Sequence, residues 1–144
     1  MAIITPYDNK VAVWIFTGSA LGETTIDQVC QTILKYAPSV TGLWVKTSDG
    51  ANWMAHYDNS KPNLAIDGSA AVDRWVATLQ QYGLEFHAWC VPCGQNLQAE
   101  TDIILQVCNR PGVRSMVLDV EIDPTGANFW VGGQAGVRPY MLRS

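Results

Sequence analysis

The sequence predicts an α/β fold built on a parallel sheet, and two observations support this prediction. Four short apolar runs, at Val11–Thr17, Gly42–Ser48, Glu85–Val91 and Arg114–Glu121, are typical of buried strands. Helical patterns separate these runs from one another. A strand followed by a helix, repeated along the chain, indicates parallel strands joined by right-handed crossovers.

The first helix follows the first apolar run. Its apolar residues lie at helical spacing from Ile26 to Ala37. Thr25 and Gln28 form a capping-box pattern at its start, in which each side chain bonds a backbone N–H of the first turn. This pattern predicts where the helix begins.

The later elements follow the same alternation. A long segment, Asp49–Gly68, comes after the second predicted strand, and such segments line the carboxyl end of a parallel sheet, where ligands bind. A second helix is predicted over about Ser69–Tyr82, with Gly83 as its stop. A third is predicted over about Gln98–Asn109, and a last short helix over Ala135–Leu142.

The two faces of the predicted strands differ in chemistry. Successive side chains of a strand point to opposite faces, and one face of these strands is aliphatic. The other, which we call the inner face, has aromatic, basic and acidic side chains: Trp14, Phe16, Trp44, Lys46, His87, Trp89, Asp119 and Glu121. An open sheet covered by helices on both sides needs two apolar faces, whereas a barrel can have a polar interior layer. The pattern therefore favours barrel strands.

The length of the chain predicts half a barrel. A (βα)8 barrel needs about 250 residues, and the 144 residues here form four strand–helix units in a single domain, 1–144. We therefore expect a (βα)4 half of a TIM barrel. Its first and last strands are open edges and its inner face is uncovered. We expect a homodimer, in which the fourth strand of each chain meets the first strand of the other and closes an eight-stranded barrel.

Composition excludes some functions. Charged residues make up 15% of the chain and the formal charge is −4, with no basic patch, so nucleic-acid binding is disfavoured. No apolar run approaches membrane-spanning length, and the start of the chain does not have the pattern of a signal peptide. We expect a soluble protein with no membrane partner, and its location in the cell stays open.

Asp119 and Glu121 are the first candidate site residues. They lie two positions apart at the end of the fourth predicted strand and therefore face the same way. Like charges this close oppose each other's ionisation, and a partly desolvated site separates their pKa values, as general acid and base catalysis requires. Alternatively, the pair faces water or caps the following turn.

Three segments resemble one enzyme family. These are a first strand ending in a small loop, the run Gly42-Leu-Trp-Val-Lys-Thr with Ser48-Asp49-Gly50 after it, and Leu118-Asp119-Val120-Glu121. Together they resemble the amino-terminal half of lysozyme-type (muramidase) glycoside hydrolases, which are TIM-like barrels with a catalytic D-x-E at the end of the fourth strand. The resemblance spans about 11 to 121. It implies that Glu121 protonates the glycosidic oxygen and that Asp119 stabilises positive charge or orients a participating group. Those enzymes also place an acid at the end of the first strand, where this chain has Phe16-Thr17-Gly18.

The same resemblance implies a carbohydrate ligand and rings that stack on it. The candidates for stacking are Trp44, Trp53, Tyr57 and Trp89. Lys46 or His87 would tune the two acids. Alternatively, the tryptophans fill the barrel and Lys46 neutralises the acid pair.

Two other functions stay open. The first is a structural or sugar-binding half-barrel dimer without turnover. The second is a thiol–disulfide oxidoreductase, because Cys90-Val-Pro-Cys93 resembles the active-site run of thioredoxins. Cysteine and histidine spacing does not predict a zinc site, and no glycine-rich phosphate loop is present, so we expect neither a metal nor a cofactor.

Overall fold

The computed structural model describes residues 4–16, 18–121 and 130, and it confirms an α/β fold with a parallel sheet. Four strands lie side by side in parallel, in the order β1 (Ala12–Ile15), β2 (Gly42–Asp49), β4 (Glu85–Val91) and β5 (Val113–Leu118). A two-residue strand, β3 (Asn52–Trp53), pairs antiparallel with the end of β2. It forms a small hairpin that the sequence did not predict.

Three helices pack against one face of this sheet. They are α1 (Ile26–Tyr36), α2 (Ser69–Gln81) and α3 (Leu97–Cys108), and α2 contacts both of the others. The core between helices and sheet includes Leu43 and Phe86 from the strands and Trp75 from α2, all almost completely buried. The indole N–H of Trp75 donates to the backbone oxygen of Leu64 at 3.1 Å, so this large ring is buried without an unpaired polar group.

The predicted cap of α1 is present with one change. The hydroxyl of Thr25 accepts the backbone N–H of Gln28 at 3.2 Å, as a capping box requires. The Gln28 side chain, however, accepts the backbone N–H of Thr24 at 2.9 Å. The helix therefore begins where the sequence predicted, with the reciprocal bond displaced by one residue.

Two strands are shorter than predicted. Strand β1 spans only Ala12–Ile15, and β5 ends at Leu118, so Asp119 and Glu121 follow the strand and do not belong to it. The backbone N–H of Asp119 still donates to the oxygen of Cys90 at 2.8 Å. This bond continues the pairing of β5 with β4 by one residue. The last predicted helix, over 135–142, lies outside the described residues.

A β-bulge interrupts β2 near its carboxyl end. The register of β2 against β4 shifts between Lys46 and Ser48, which makes Thr47 the extra residue. Thr47 is completely buried, and its hydroxyl donates to the backbone oxygen of Trp89 at 3.3 Å. On a regular strand, residues three positions apart face opposite ways. The bulge instead brings Asp49 to the same face as Lys46.

The inner face has no helix on it among the described residues. Its rings form one cluster, in which Trp14 lies 4.3 Å from Trp44 and 5.0 Å from Trp89, measured between ring centroids. Trp14 is 46% exposed and Phe16 is 58% exposed, although both are large apolar side chains. In the part of the chain that the structure describes, none of the helices is both long and apolar enough to cross a membrane.

Candidate functional site

A cavity of about 220 Å³ lies at the carboxyl ends of β2, β4 and β5, and we call it the acid cavity. Its lining includes Phe16, Lys46, Asp49, Trp89, Asp119 and Glu121. The carboxyl ends of parallel strands meet at one edge of a sheet, which is where α/β proteins place their sites. The cavity thus brings together both predicted catalytic acids and two predicted substrate-binding residues, Lys46 and Trp89.

Lys46 is a charged residue held inside the molecule. Its side chain is 3% exposed, and its ammonium group lies 2.8 Å from the Asp49 carboxylate. The same nitrogen lies 4.6 Å from the centroid of the Phe16 ring and 5.1 Å from that of Trp89, both within cation–π range. A buried charge is costly unless it is paired. Asp49, with the two rings, therefore stabilises Lys46 in this position.

Asp49 is the site residue that sequence reasoning missed. Alternation along β2 would place it on the helix side, and only the bulge at Thr47 directs it to the inner face. It is a third carboxylate in the acid cavity, beside Asp119 and Glu121. Muramidases place an additional acid at the end of the first strand. In this chain the additional acid is Asp49, at the end of β2.

Asp119 and Glu121 are reachable from solvent. Asp119 is half-buried and Glu121 is exposed. Within residues 4–16, 18–121 and 130, no side chain forms a hydrogen bond or ion pair with either carboxylate; the ammonium group of Lys46 is paired with Asp49. Both acids thus line the acid cavity without a side-chain partner among the described residues.

The predicted stacking rings have different positions. Trp89 is buried, and its indole N–H donates to the backbone oxygen of Ile15 at 3.1 Å, so only part of its ring meets the acid cavity. Trp44 lies in the cluster nearer the amino ends of the strands, edge-on to Tyr7 at 5.6 Å. Trp53 packs against the hydrophobic core on the helix side. Of the three tryptophans, only Trp89 lines the acid cavity.

A second cavity, of about 350 Å³, adjoins the first, and we call it the amide cleft. Its lining includes Asp49, Asn52, Tyr57, Cys93, Gln95 and Asn96. Asp49 lines both cavities. Tyr57, a predicted substrate-binding residue, is therefore separated from the two catalytic candidates and belongs to this neighbouring cleft.

One buried carboxylate fixes a wall of the amide cleft. Glu100 is 1% exposed and accepts four successive backbone N–H groups, those of Cys93 and Gly94 at 2.9 Å, Gln95 at 3.0 Å and Asn96 at 3.1 Å. The side chain of Asn96 in turn accepts the N–H of Ala99 and caps α3. An acid in the first turn of α3 is the only signal of this arrangement in the sequence.

The two thiols of Cys90-Val-Pro-Cys93 lie in different surroundings. Burial raises the pKa of the Cys90 thiol to about 12. Burial, followed by the nearby carboxylates of Asp49 and Glu100, raises the pKa of the Cys93 thiol to about 11. A thioredoxin-type nucleophile needs the opposite shift, and the N–H groups that would stabilise a thiolate near the start of α3 are bonded to Glu100. These findings argue against the oxidoreductase alternative.

His87 does not belong to the acid cavity. It is 1% exposed and lies nearer the amino ends of the strands, where its Nδ1 lies 2.8 Å from the hydroxyl of Ser115 and its Nε2 lies 3.3 Å from the Glu85 carboxylate. Burial lowers the pKa of the His87 imidazole despite the opposing effect of Glu85. His87 is therefore a hydrogen-bonded interior residue and not a partner of the two acids.

Among the described residues, no group of three or more His, Cys, Asp or Glu side chains is arranged to hold a metal ion. Comparisons of the chain with protein-family models, with curated proteins and with solved structures found no match. The resemblance to lysozyme-type glycoside hydrolases accordingly rests on the residues themselves and stays a prediction.

Proposed function

We propose that the chain supplies the acid-bearing half of a carbohydrate-cleaving site, in a half-barrel similar to one half of a glycoside-hydrolase barrel. The observation that supports this most directly is the acid cavity, where Asp119 and Glu121 share one space with the rings of Phe16 and Trp89. Carboxylates accept hydrogen bonds from sugar hydroxyl groups, and aromatic faces stack on the apolar faces of sugar rings. This combination suits a polyhydroxylated ligand.

The two acids have distinct roles in this proposal. Glu121 protonates the glycosidic oxygen as the bond to the leaving sugar breaks, and water then supplies the hydroxyl group of the product. Asp119, which is anchored through its backbone to β4, stabilises the positive charge that develops on the sugar ring or orients a participating group. Lys46 is a positioning residue that holds Asp49 on the wall of the cavity.

The experiment is a hydrolysis assay on chitin oligosaccharides and cell-wall glycan, read as released reducing ends. Glu121→Gln keeps the shape of the side chain but cannot donate the proton, so we expect activity to fall by roughly 10²- to 10⁴-fold. Asp119→Asn should also reduce activity. Asp102→Asn is the matched control, because Asp102 is exposed on α3 and, among the described residues, is hydrogen-bonded only to Gln98. Equal activity in the wild type and in Glu121→Gln, with both folded, would contradict the catalytic role.

A second candidate is a sugar-binding half-barrel without turnover. The observation that favours it is the lack of any described side chain that holds Asp119 or Glu121, since catalytic groups are normally fixed by supporting hydrogen bonds. In this case the wild type and Glu121→Gln are equally inert and bind sugars with similar affinity. Calorimetric titration with the same oligosaccharides distinguishes the two candidates.

We also propose that a second copy of the chain completes the inner face. Strands β1 and β5 are the two edges of the parallel sheet, each paired on one side only within the described part of the chain. A two-fold rotation about the barrel axis places β5 of one chain beside β1 of the other in parallel. It also brings two acid cavities to one mouth, so the partner contributes residues to the site.

A further inference from the structure

The amide cleft is a binding surface that the two catalytic acids leave unused. Its volume of about 350 Å³ exceeds the 220 Å³ of the acid cavity, and Asp49 lines both. Small-molecule sites usually span roughly 300–1,000 Å³. The acid cavity alone is smaller than that range, whereas the two cavities together fall within it. Asp49 is the wall that the two cavities share, so a ligand in the acid cavity lies next to the amide cleft.

Tyr57 presents a fixed ring to this cleft. Its side chain is half exposed, yet its hydroxyl accepts a hydrogen bond from the Asn52 amide at 3.3 Å and donates one to the backbone oxygen of Asp49 at 3.2 Å. The ring of His56 lies edge-on to it, with 4.9 Å between the centroids. A ring held in place loses little conformational entropy when a ligand stacks on it. Tyr57 is therefore suited to be a stacking platform.

The charge of the amide cleft selects against anions. Asp49 and Glu100 are among the residues that line it, and no lysine or arginine of the described residues does so. The start of a helix usually attracts anions through free N–H groups. Here the Glu100 carboxylate already accepts the backbone N–H groups from Cys93 to Asn96. What the cleft offers instead is the side-chain amides of Asn52, Gln95 and Asn96, which pair with hydroxyl and acetamido groups.

We propose that the amide cleft binds a second, uncharged sugar unit of an oligosaccharide whose first unit occupies the acid cavity, with the Tyr57 ring stacked on that second unit. This inference rests on the proposed function. It specifies the ligand as a neutral glycan of at least two units, and it excludes glycans that have a carboxylate on the second unit.

The test is calorimetric titration of the full chain with four probes: N-acetylglucosamine, its β-1,4-linked dimer and trimer, and a disaccharide of glucuronate and N-acetylglucosamine. We expect the neutral dimer to bind roughly tenfold more tightly than the monomer, because one additional ring-stacking contact forms. The acidic disaccharide should bind no more tightly than the monomer. Tyr57→Ala should lose the gain from monomer to dimer.

Three further variants separate the stacking role of Tyr57 from a structural one. Tyr57→Phe keeps the ring and should retain most of the gain. Tyr36→Ala removes a tyrosine on α1 that is 74% exposed and lines neither cavity, and it should behave as the wild type does. Gln95→Ala, on the exposed side of the loop, should weaken the dimer alone.

The outcomes distinguish this inference from the function on which it rests. If the monomer binds but the neutral dimer binds no more tightly, or if Tyr57→Ala keeps the full gain, the second sugar position is refuted and the proposed function stands. Equal affinity for the acidic and neutral disaccharides refutes the selection against anions. If no sugar binds to the wild type, the proposed function fails and the inference fails with it.

Discussion

Cys93 shows how its surroundings set the chemistry of one side chain. The thiolate is the reactive form of cysteine, and the pKa of about 11 keeps Cys93 protonated at neutral pH. We expect iodoacetamide to modify Cys93 at pH 8 roughly a hundredfold more slowly than a thiol with the ordinary pKa of 9.0. The rate should rise about tenfold per pH unit up to about pH 11, because the thiolate fraction rises by that factor.

Mass spectrometry of the Cys93 peptide measures this rate, with N-acetylcysteine as the reference thiol. The raised pKa of Cys93 also makes the stability of the folded protein depend on pH. The pKa of Cys93 in the folded state lies above its ordinary value of 9.0, so folding favours the neutral thiol, and this contribution is lost as the pH rises from about 9 through 11. Rapid alkylation at pH 7, together with reduction of insulin, would contradict the assignment and support the oxidoreductase alternative.

Individual site residues were predictable only where alternation along a strand holds. Lys46 and Trp89 lie on the inner face as their positions in regular strand segments predict. Asp49 was missed, since its orientation depends on a bulge that no local pattern of residues indicates. Trp53 was predicted as a sugar platform from its residue type, but the hairpin β3 directs it to the core. Type and spacing do not determine the direction of a side chain in such turns.

The loop before α3 depends on a single carboxylate. Glu100→Gln replaces one acceptor oxygen by an amide nitrogen, so two of the four backbone N–H groups lose their partner. We expect the free energy of unfolding to fall by roughly 1–3 kcal/mol, the cost of leaving buried donors unpaired. Urea denaturation measures the change. Glu121→Gln is the matched control, because Glu121 is exposed, and a change as large there would contradict this explanation.

Helices were easier to predict than strand ends. The three described helices agree with the prediction within one residue at each end. Caps and apolar spacing are local, so the sequence displays them directly. The end of a strand depends on its neighbour in the sheet. Strand β5 therefore stops at Leu118, beside the end of β4, although the apolar run continues to Val120.

The whole molecule should be a dimer if the inner face is closed by a second copy. Sedimentation equilibrium should then give about twice the chain mass of 15.8 kDa at micromolar concentration. Trp14→Glu places a charge on the exposed part of the inner face and should shift the equilibrium to monomer. Leu105→Glu is the matched control, since Leu105 is 50% exposed on α3, on the helix side of the sheet.

A monomer in the wild type would contradict the dimer without affecting the fold. In the described part of the chain, the parallel sheet, the helices on one of its faces and the aliphatic core are contained in one chain, and strand alternation and helical spacing predict them. Whether another surface covers Trp14 and Phe16 depends on how two surfaces fit together. No periodic pattern within a single sequence indicates such a fit.

The buried Thr47 also bears on how this site is compared with, or transplanted into, other proteins. Lys46 pairs with Asp49 because the bulge places both side chains on one face of the sheet. At the same spacing of three positions on a regular strand, the two side chains would lie on opposite faces. A segment that keeps both charges three positions apart but has no bulge between them would therefore be a false equivalent, because its two side chains would lie on opposite faces. A designer who transfers this ion pair must transfer the whole segment from Lys46 to Asp49 together with its irregular backbone.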